Sequence, residues 1–334
     1  MSELTVAAGL ARGLTAFAVS KGASEQALLA QAHLNPEDLL DQDARIPLDN
    51  YVMLMRAAKY LTGDPALALH YGEVDDLADI SIVGLIARAA ETMLDAFVQL
   101  NRFRGLVIEV DSDGDRFKLE RGGNVLWLID TRRNPHDFVE LTESTFARMV
   151  CGGRRIAPET LIKEVHVTHA PPPYRAEYER VLRVPVRFES TKNAIALDHA
   201  WLTTKVALQP HYVFGILSEH AEKLLKNLQD SKTTRGRVEH LLMPLLHTGD
   251  ISMDKIAETM ATSRQTLFRK LKDEGTTFEK VLDELRHKLA LHYLSGKKVS
   301  ISETAYLVGF SEAAAFSRAF KRWTGKSPRE ARKA

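Results

Sequence analysis

Two stretches near the C-terminus repeat one pattern, and that repetition constrains the fold more than any other feature of the chain. The first runs through Lys255-Ile256-Ala257, Met260-Ala261 and then Ser263 to Leu271. The second runs through Glu303-Thr304-Ala305, Val308-Gly309-Phe310 and then Ser311 to Phe320. Each reads as a short helix with a small residue where it crosses its partner, a tight turn, and a second helix with an exposed basic face. That is the helix-turn-helix pattern, whose second helix lies in the major groove of DNA. Any helical hairpin imitates one copy; two copies joined by a helix-forming spacer are a far stronger signal.

A chain of 334 residues is too long for one small core, so two domains are expected. The net charge of +1 conceals an asymmetry. Lys232 to Ala334 holds 20 Lys and Arg against 12 Asp and Glu, and the remainder holds 25 against 32. Only the C-terminal part is therefore expected to meet a polyanion, the alternative being a solvated basic surface. Cys151 is the single cysteine, which excludes an intramolecular disulfide and a cysteine-based zinc cluster. Arg12 and Lys21 interrupt the apolar residues at the start, and no apolar run is long enough to span a membrane. A cytoplasmic location without membrane contact is expected, and no residue set points to a cofactor or metal.

Helices are predicted over residues 4–18, 24–32, 48–61, 82–103, 136–150 and 212–228 from their apolar spacing. Leu106–Val110, Arg116–Glu120, Val125–Ile129, Val165–Thr168, Val186–Phe188 and Ala194–Leu197 are predicted strands, with hairpin turns at Asp113-Gly114 and Gly122-Gly123. The N-terminal part is thus α+β with an antiparallel sheet, and an all-α domain with two helix-turn-helix motifs follows. The expected boundaries are 1–228 for an effector-sensing and dimerisation domain, a polar linker over 229–234, and 235–334 for the DNA-binding domain. Asp111 to Asp115 lacks the downstream glutamate of a calcium loop and reads as part of a turn. His166, His169 and His199 have no carboxylate support at ligand spacing and are expected at the surface.

In the first motif Leu267 and Leu271 point inward, leaving Arg264, Gln265, Phe268 and Arg269 outward. Arg pairs bidentately with the O6/N7 edge of guanine and Gln with the N6/N7 edge of adenine, so these four are the expected base readers. The spacer opens with Thr276 and Glu279 at capping-box spacing, and Phe278, Val281, Leu282, Leu285 and Leu289 form its apolar stripe. A helix from Phe278 to Leu294 is about 25 Å long and suits two heads about 34 Å apart, one DNA turn. It is also expected to serve as a core helix. The second motif opens with Ser300 and Glu303 as another capping box. It turns at Gly309 and leaves Ala313, Ala314, Ser317 and Arg318 outward. Ala314, Ser317 and Arg318 are its expected readers; Lys272, Lys321, Arg322 and Lys326 are expected on phosphates. Pro244 falls inside a predicted helix over 238–246 and is expected to kink it.

Ala305-x-x-Val308-Gly309-Phe310, Phe316-x-x-x-Phe320-Lys321 and Gly325-x-Ser327-Pro328 resemble the signature of AraC/XylS-type transcription regulators. The segment from Lys272 to Phe278 is one residue tighter than the commonest form. Arg45-Ile46-Pro47-Leu48, Leu61 to Leu67 and the stretch from Ile82 to Phe103 are similar to the branch with an arabinose-binding-like N-terminal domain, the branch of the ornithine-utilisation regulator. The resemblance implies a regulator that binds double-stranded DNA, responds to a small-molecule effector and often activates by recruiting RNA polymerase, with a homodimer as a further partner. It implies no enzyme. Two alternatives stand beside it: a regulator whose N-terminal domain only dimerises, and a DNA-repair enzyme fused to the same head, which one cysteine cannot supply with a zinc-bound cluster. The effector site is unassigned; Phe103, Trp127 and Trp201 are its aromatic candidates, and core packing is their other reading.

Overall fold

The computed structural model describes residues 4–156, 159–206, 211–248, 251–295 and 299–332. It divides into two compact units, Met1–Leu225 and Lys226–Ala334.

The first unit opens with a strand where a helix was expected. β1 (Thr5–Ala7) pairs antiparallel with β2 (Arg45–Pro47), and helix α1 (Ala8–Ser20) begins only after it. The Arg45 guanidinium explains the change. It donates to the Thr5 carbonyl and hydroxyl and to the Leu106 carbonyl, drawing the first residues into extended backbone. Helices α2 (Glu25–Gln31), α3 (Leu48–Thr62), α4 (Leu67–Val74) and α5 (Leu77–Ile80) follow.

The expected helix over 82–103 is two helices, α6 (Ile82–Ala89) and α7 (Met93–Arg102). The break has a cause. Thr92 caps α7 in a capping box with Asp95, and the neighbouring backbone pairs with a returning segment, Met93 N–H to the Thr204 carbonyl and Val206 N–H to the Glu91 carbonyl. The expected strand at Leu106–Val110 is instead a single helical turn, α8 (Arg104–Val107), after which Ile108 forms an isolated bridge to Val6.

The sheet contains β3 (Ser112–Gly122), β4 (Val125–Arg132), β5 (Ile162–His166), β6 (Val186–Arg187) and β7 (Asn193–Leu197) in the order β3-β4-β7-β5-β6. It is antiparallel, as expected, except for the short parallel β5–β6 pair at its edge. Gly122-Gly123 makes the expected hairpin turn. Asp113-Gly114 does not: it lies inside β3, where the register with β4 slips between Ser112 and Phe117. Gly114, at φ +81°, supplies the left-handed backbone of that irregularity.

Helix α9 (Val139–Ile156) lays Phe146, Ala147 and Val150 against Leu128, Val165 and Ile195 of the sheet. Its other neighbour is α4, which approaches so closely that a Cβ on Gly72 would stand 2.3 Å from the Ser144 carbonyl oxygen. Helix α10 (Arg175–Leu182) connects β5 to β6 and packs against α4 and α9, its Tyr178 hydroxyl donating to buried Glu143. Burial pushes the Glu143 carboxyl up, against the pull of the Tyr178 and Tyr174 hydroxyls. The expected surface position of His166 is corrected: it is buried, its ring tilted against Trp127 at 4.7 Å between centroids and within hydrogen-bond distance of the Ser190 hydroxyl.

Helix α11 (His211–Lys232) runs through most of the expected polar linker at 229–234. The polar residues there sit on helical backbone, and the Asp230 carbonyl lies where a Cβ on Gly236 would stand. In the second unit α12 (Thr234–Leu242) stops two residues before Pro244, and Met243–Thr248 continues as a tighter helix. The kink expected at Pro244 is this change of pitch. α13 (Met253–Thr259) and α14 (Arg264–Asp273) form the first hairpin. α15 (Phe278–Ser295) is the spacer, α16 (Ile301–Leu307) and α17 (Ala313–Thr324) form the second hairpin, and α18 (Pro328–Ala331) ends it. Thr277, not Thr276, caps α15: its hydroxyl accepts from the Lys280 N–H, while the buried Thr276 hydroxyl has no partner among the described residues. Ser300 and Glu303 make the expected capping box.

Gly309 tests this packing. It combines φ +81° with a contact in which a Cβ would lie 2.5 Å from the Leu246 carbonyl oxygen. Gly275, at φ +72°, has open space around it. Gly275→Ala should therefore cost about 1–2 kcal/mol, the left-handed backbone contribution alone, whereas Gly309→Ala should cost clearly more. Urea unfolding of the two variants measures the difference; equal midpoints would show that the Leu246 contact is not tight.

Candidate nucleic-acid interface and interior cavity

The two hairpins are built alike. Ser252 caps α13 and Ser263 caps α14, each hydroxyl accepting a backbone N–H of the first turn. The turn between them passes through Ala261 at φ +50°, the left-handed position that Gly309 fills at φ +81° in the second hairpin. On α14, Leu267 and Leu271 are buried, and Arg264, Gln265, Phe268, Arg269 and Lys272 are exposed. Phe268 is 52% exposed, a large apolar ring left in solvent. On α17, Phe316, Ala319 and Phe320 are buried, and Ala314, Arg318, Lys321 and Arg322 are exposed. Lys326 is exposed beyond the helix. Each hairpin thus turns one polar helical face outward.

The outward cations are not equivalent. Arg264 Nη1 lies 2.7 Å from Asp254, and Arg322 Nη2 lies 2.6 Å from Asp283. Arg269 and Arg318 form no ion pair among the described residues. Ser317 is only half exposed, and its hydroxyl donates to the Ala313 carbonyl at 2.8 Å. It can therefore offer a base only its lone pairs.

The spacer α15 belongs to both cores. Phe278, Val281 and Leu285 pack with α12, α13 and α14. Ala290 and Leu294 pack with Ala305, Val308, Phe316 and Phe320. Between the two sets Arg286 donates from Nη2 to the Gly309 carbonyl at 3.1 Å, with its guanidinium 4.8 Å from the Phe310 ring centre. Burial pulls its pKa down, against the nearby Asp283.

The first unit contains a cavity of about 250 Å³ between α6, α7, α9 and one face of the sheet. Of the three aromatic candidates only Trp201 lines it. Phe103 is fully buried elsewhere, and Trp127 follows the alternation of β4 away from Leu128, which lines the cavity, to the opposite sheet face under Lys192. Sequence reasoning missed the polar lining, which besides Arg104 and Thr145 includes Asp75, Asp76, Arg88, Arg116, Arg148 and Arg155. Arg148 Nε donates to Asp75 at 2.6 Å; burial pushes the Asp75 carboxyl up, against that arginine. One signal was present in the sequence. Gly152-Gly153 sits inside a helical stretch, and α9 continues through it rather than ending near Val150.

Comparison with known proteins places both units. Residues 22–206 match the model of the arabinose-binding domain of AraC transcription regulators, and residues 256–334 match a helix-turn-helix domain. The chain belongs to the AraC family of transcription regulators. It is 28% identical over 330 residues to the ornithine utilization regulator of Pseudomonas aeruginosa, covering 97% of this chain and 95% of that one. It is 26% identical over 327 residues to the transcriptional regulator VirS of Mycobacterium tuberculosis, covering 96% and 94%. The crystal structure of the regulator CdpR from Pseudomonas aeruginosa superposes with a TM-score of 0.45 at 22% identity, covering 97% of each chain. These relatives are DNA-binding regulators rather than enzymes. No helix among the described residues is long and apolar enough to cross a membrane.

Proposed function

We propose that this AraC-type regulator is an effector-controlled activator whose two hairpins enter successive major grooves. The observation that carries the reading is the matched pair of α14 and α17, each buried on one side and exposing an arginine without an ion pair on the other. In this reading Arg264, Gln265, Phe268 and Arg269 read bases from the first head, and Ala314, Ser317 and Arg318 from the second. Lys272, Lys321, Arg322 and Lys326 hold phosphates. The cavity in the first unit receives a small-molecule effector, and binding shifts the population toward an activating arrangement that engages RNA polymerase. The family model of the first unit, an arabinose-binding domain, supports an effector site there, and the cavity favours it over a unit that only forms a homodimer. Activation is supported by a likeness to the transcriptional activator RhaS of Escherichia coli, 36% identical over 110 residues and covering 32% of this chain and 40% of that one.

Selection from random DNA tests the base readers. Arg269→Ala and Arg318→Ala should each cost about 1–3 kcal/mol on a specific site and relax preference at different base pairs. Those base pairs should lie roughly one helical turn apart. The two-head reading fails if both variants keep the wild-type motif or lose preference at the same positions.

The phosphate contacts have a different signature. Lys321→Ala and Lys326→Ala should each reduce the slope of log affinity against log salt by about one, with sequence preference unchanged. Arg322→Ala should give the same slope change with a smaller loss of affinity, because the wild-type side chain must first leave Asp283, an exposed pair worth at most about 1 kcal/mol. Titrations at several salt concentrations separate these outcomes.

A further inference from the structure

The cavity of the first unit also specifies the chemistry of its occupant. Most of its wall is hydrocarbon, including Phe97, Phe117, Leu128, Ile195 and Trp201. Its volume corresponds to about eight waters at roughly 30 Å³ each, so it suits a compact molecule. Two features show that it is kept open and aimed at a particular group.

The first is the glycine pair of α9. Gly152 and Gly153 both line the cavity and both sit in a helix interior, where glycine costs up to about 1 kcal/mol relative to alanine. Gly152 has no close neighbour that would require it: a Cβ there would meet nothing within 4 Å. The missing side chains leave space inside the wall.

The second is Arg116, which lines the cavity yet is only 4% exposed. Its Nη2 makes two long contacts, 3.4 Å to Asp130 and 3.3 Å to the Thr145 hydroxyl, and its Nε has no hydrogen-bond partner among the described residues. Asp130 also faces the buried Arg132, whose pKa burial pulls down to about 10 against that carboxylate. One carboxylate thus serves two buried guanidiniums. At the exposed end, Arg88 and Arg155 likewise share Asp76. Asp75, the other acidic group of the wall, is taken by Arg148. The wall therefore offers donors with cationic charge in excess and no unclaimed carboxylate for an amine. A sugar would leave several hydroxyls facing hydrocarbon, each an unsatisfied group of the kind that proteins avoid burying.

We propose that the effector is a small carboxylic acid with a hydrocarbon body, its carboxylate accepting from Arg116 and its body lying along Phe97, Phe117 and Trp201. This rests on the reading of the first unit as the effector sensor. A buried carboxylate needs a charged, well-directed partner, and a guanidinium fork supplies one.

Calorimetry and thermal unfolding of the full chain, with hexanoate and phenylacetate as probes, test this. Hexanol and hexylamine serve as neutral and cationic counterparts, and ornithine and arabinose as polar ones. The acids should bind and raise the Tm, and hexanol should bind about tenfold more weakly or worse. Arg116→Gln should weaken the acids about tenfold or more while leaving hexanol unchanged, and Arg116→Lys should restore part of the loss. Gly152→Leu, which fills the cavity and favours the helix, should abolish binding of acid and alcohol alike. Equal binding of acid and alcohol, or an unchanged ratio in Arg116→Gln, overturns the carboxylate assignment. The sensor reading then survives if Gly152→Leu still abolishes binding. Failure of both acids overturns the assignment too; in that case binding of ornithine or arabinose, lost in Gly152→Leu, would keep the sensor reading, and no binding by any probe would remove its support.

Discussion

The spacing of α14 and α17 depends on one close approach, that of the Gly309 turn to the Leu246 carbonyl. A side chain at 309 would collide with that oxygen at 2.5 Å, and Arg286 closes the contact from α15 by donating to the Gly309 carbonyl. Leu246 belongs to the first hydrophobic cluster, while Val308 and the Phe310 ring belong to the second. The contact therefore joins the two heads directly, beside the shared spacer. It also gives Pro244 a role. By ending α12 at Leu242 and forcing a tighter turn through Met243–Thr248, it carries the Leu246 carbonyl to where Gly309 can meet it. Two helix-turn-helix units joined by a helix alone would bend between them; here the backbone of one rests on the turn of the other.

The second unit was legible in the sequence because its signals are local. Capping residues precede the helices, a left-handed residue occupies each turn, and apolar residues recur every three or four positions. The first unit was less legible because its departures arise from distant partners. Val6 reads as helical by spacing, yet Arg45 recruits the segment into a strand. The stretch from Ile82 to Phe103 has one continuous apolar face, yet Thr204–Val206 pairs across its middle and breaks it. Leu106–Val110 has β composition but only one residue in a bridge. Periodicity carries none of these long-range pairings.

The interior site was legible least, and for a physical reason. Aromatic residues were its expected markers, but aromatic area is used for packing throughout a fold: Phe103 is fully buried away from the cavity, and Trp127 lies against His166 and Lys192 on the opposite sheet face. What distinguishes a cavity is the opposite of packing: helical glycines with no neighbour to accommodate, and a buried charge not fully satisfied by its own protein. Gly152-Gly153 could have been noticed in sequence as a pair that a helix has no reason to prefer. Arg116 could not, since its burial follows from the register slip in β3 that turns it inward beside Phe117.

A guanidinium already paired on the protein must lose that partner before it gains a base or a phosphate, and one in open solvent gives up only water. This difference divides the four outward arginines into two classes. Arg264 and Arg322 are held by Asp254 and Asp283, and those pairs fix the directions of their side chains near the ends of α14 and α17. For Arg322 such a geometry suits the phosphate contact proposed for it, where position matters and sequence does not; Arg264 must leave Asp254 before it can read a base. Arg269 and Arg318 lie deeper along the exposed faces without an ion pair, free to adopt the bidentate geometry that a guanine edge demands. With Ser317 turned back on its own helix, Arg318 is left as the main hydrogen-bond donor of the second head, whereas Arg269 stands beside Gln265. A single lost guanidinium should therefore silence the second head's base recognition more completely. The first head retains a second reader, although it has more specificity to lose in total.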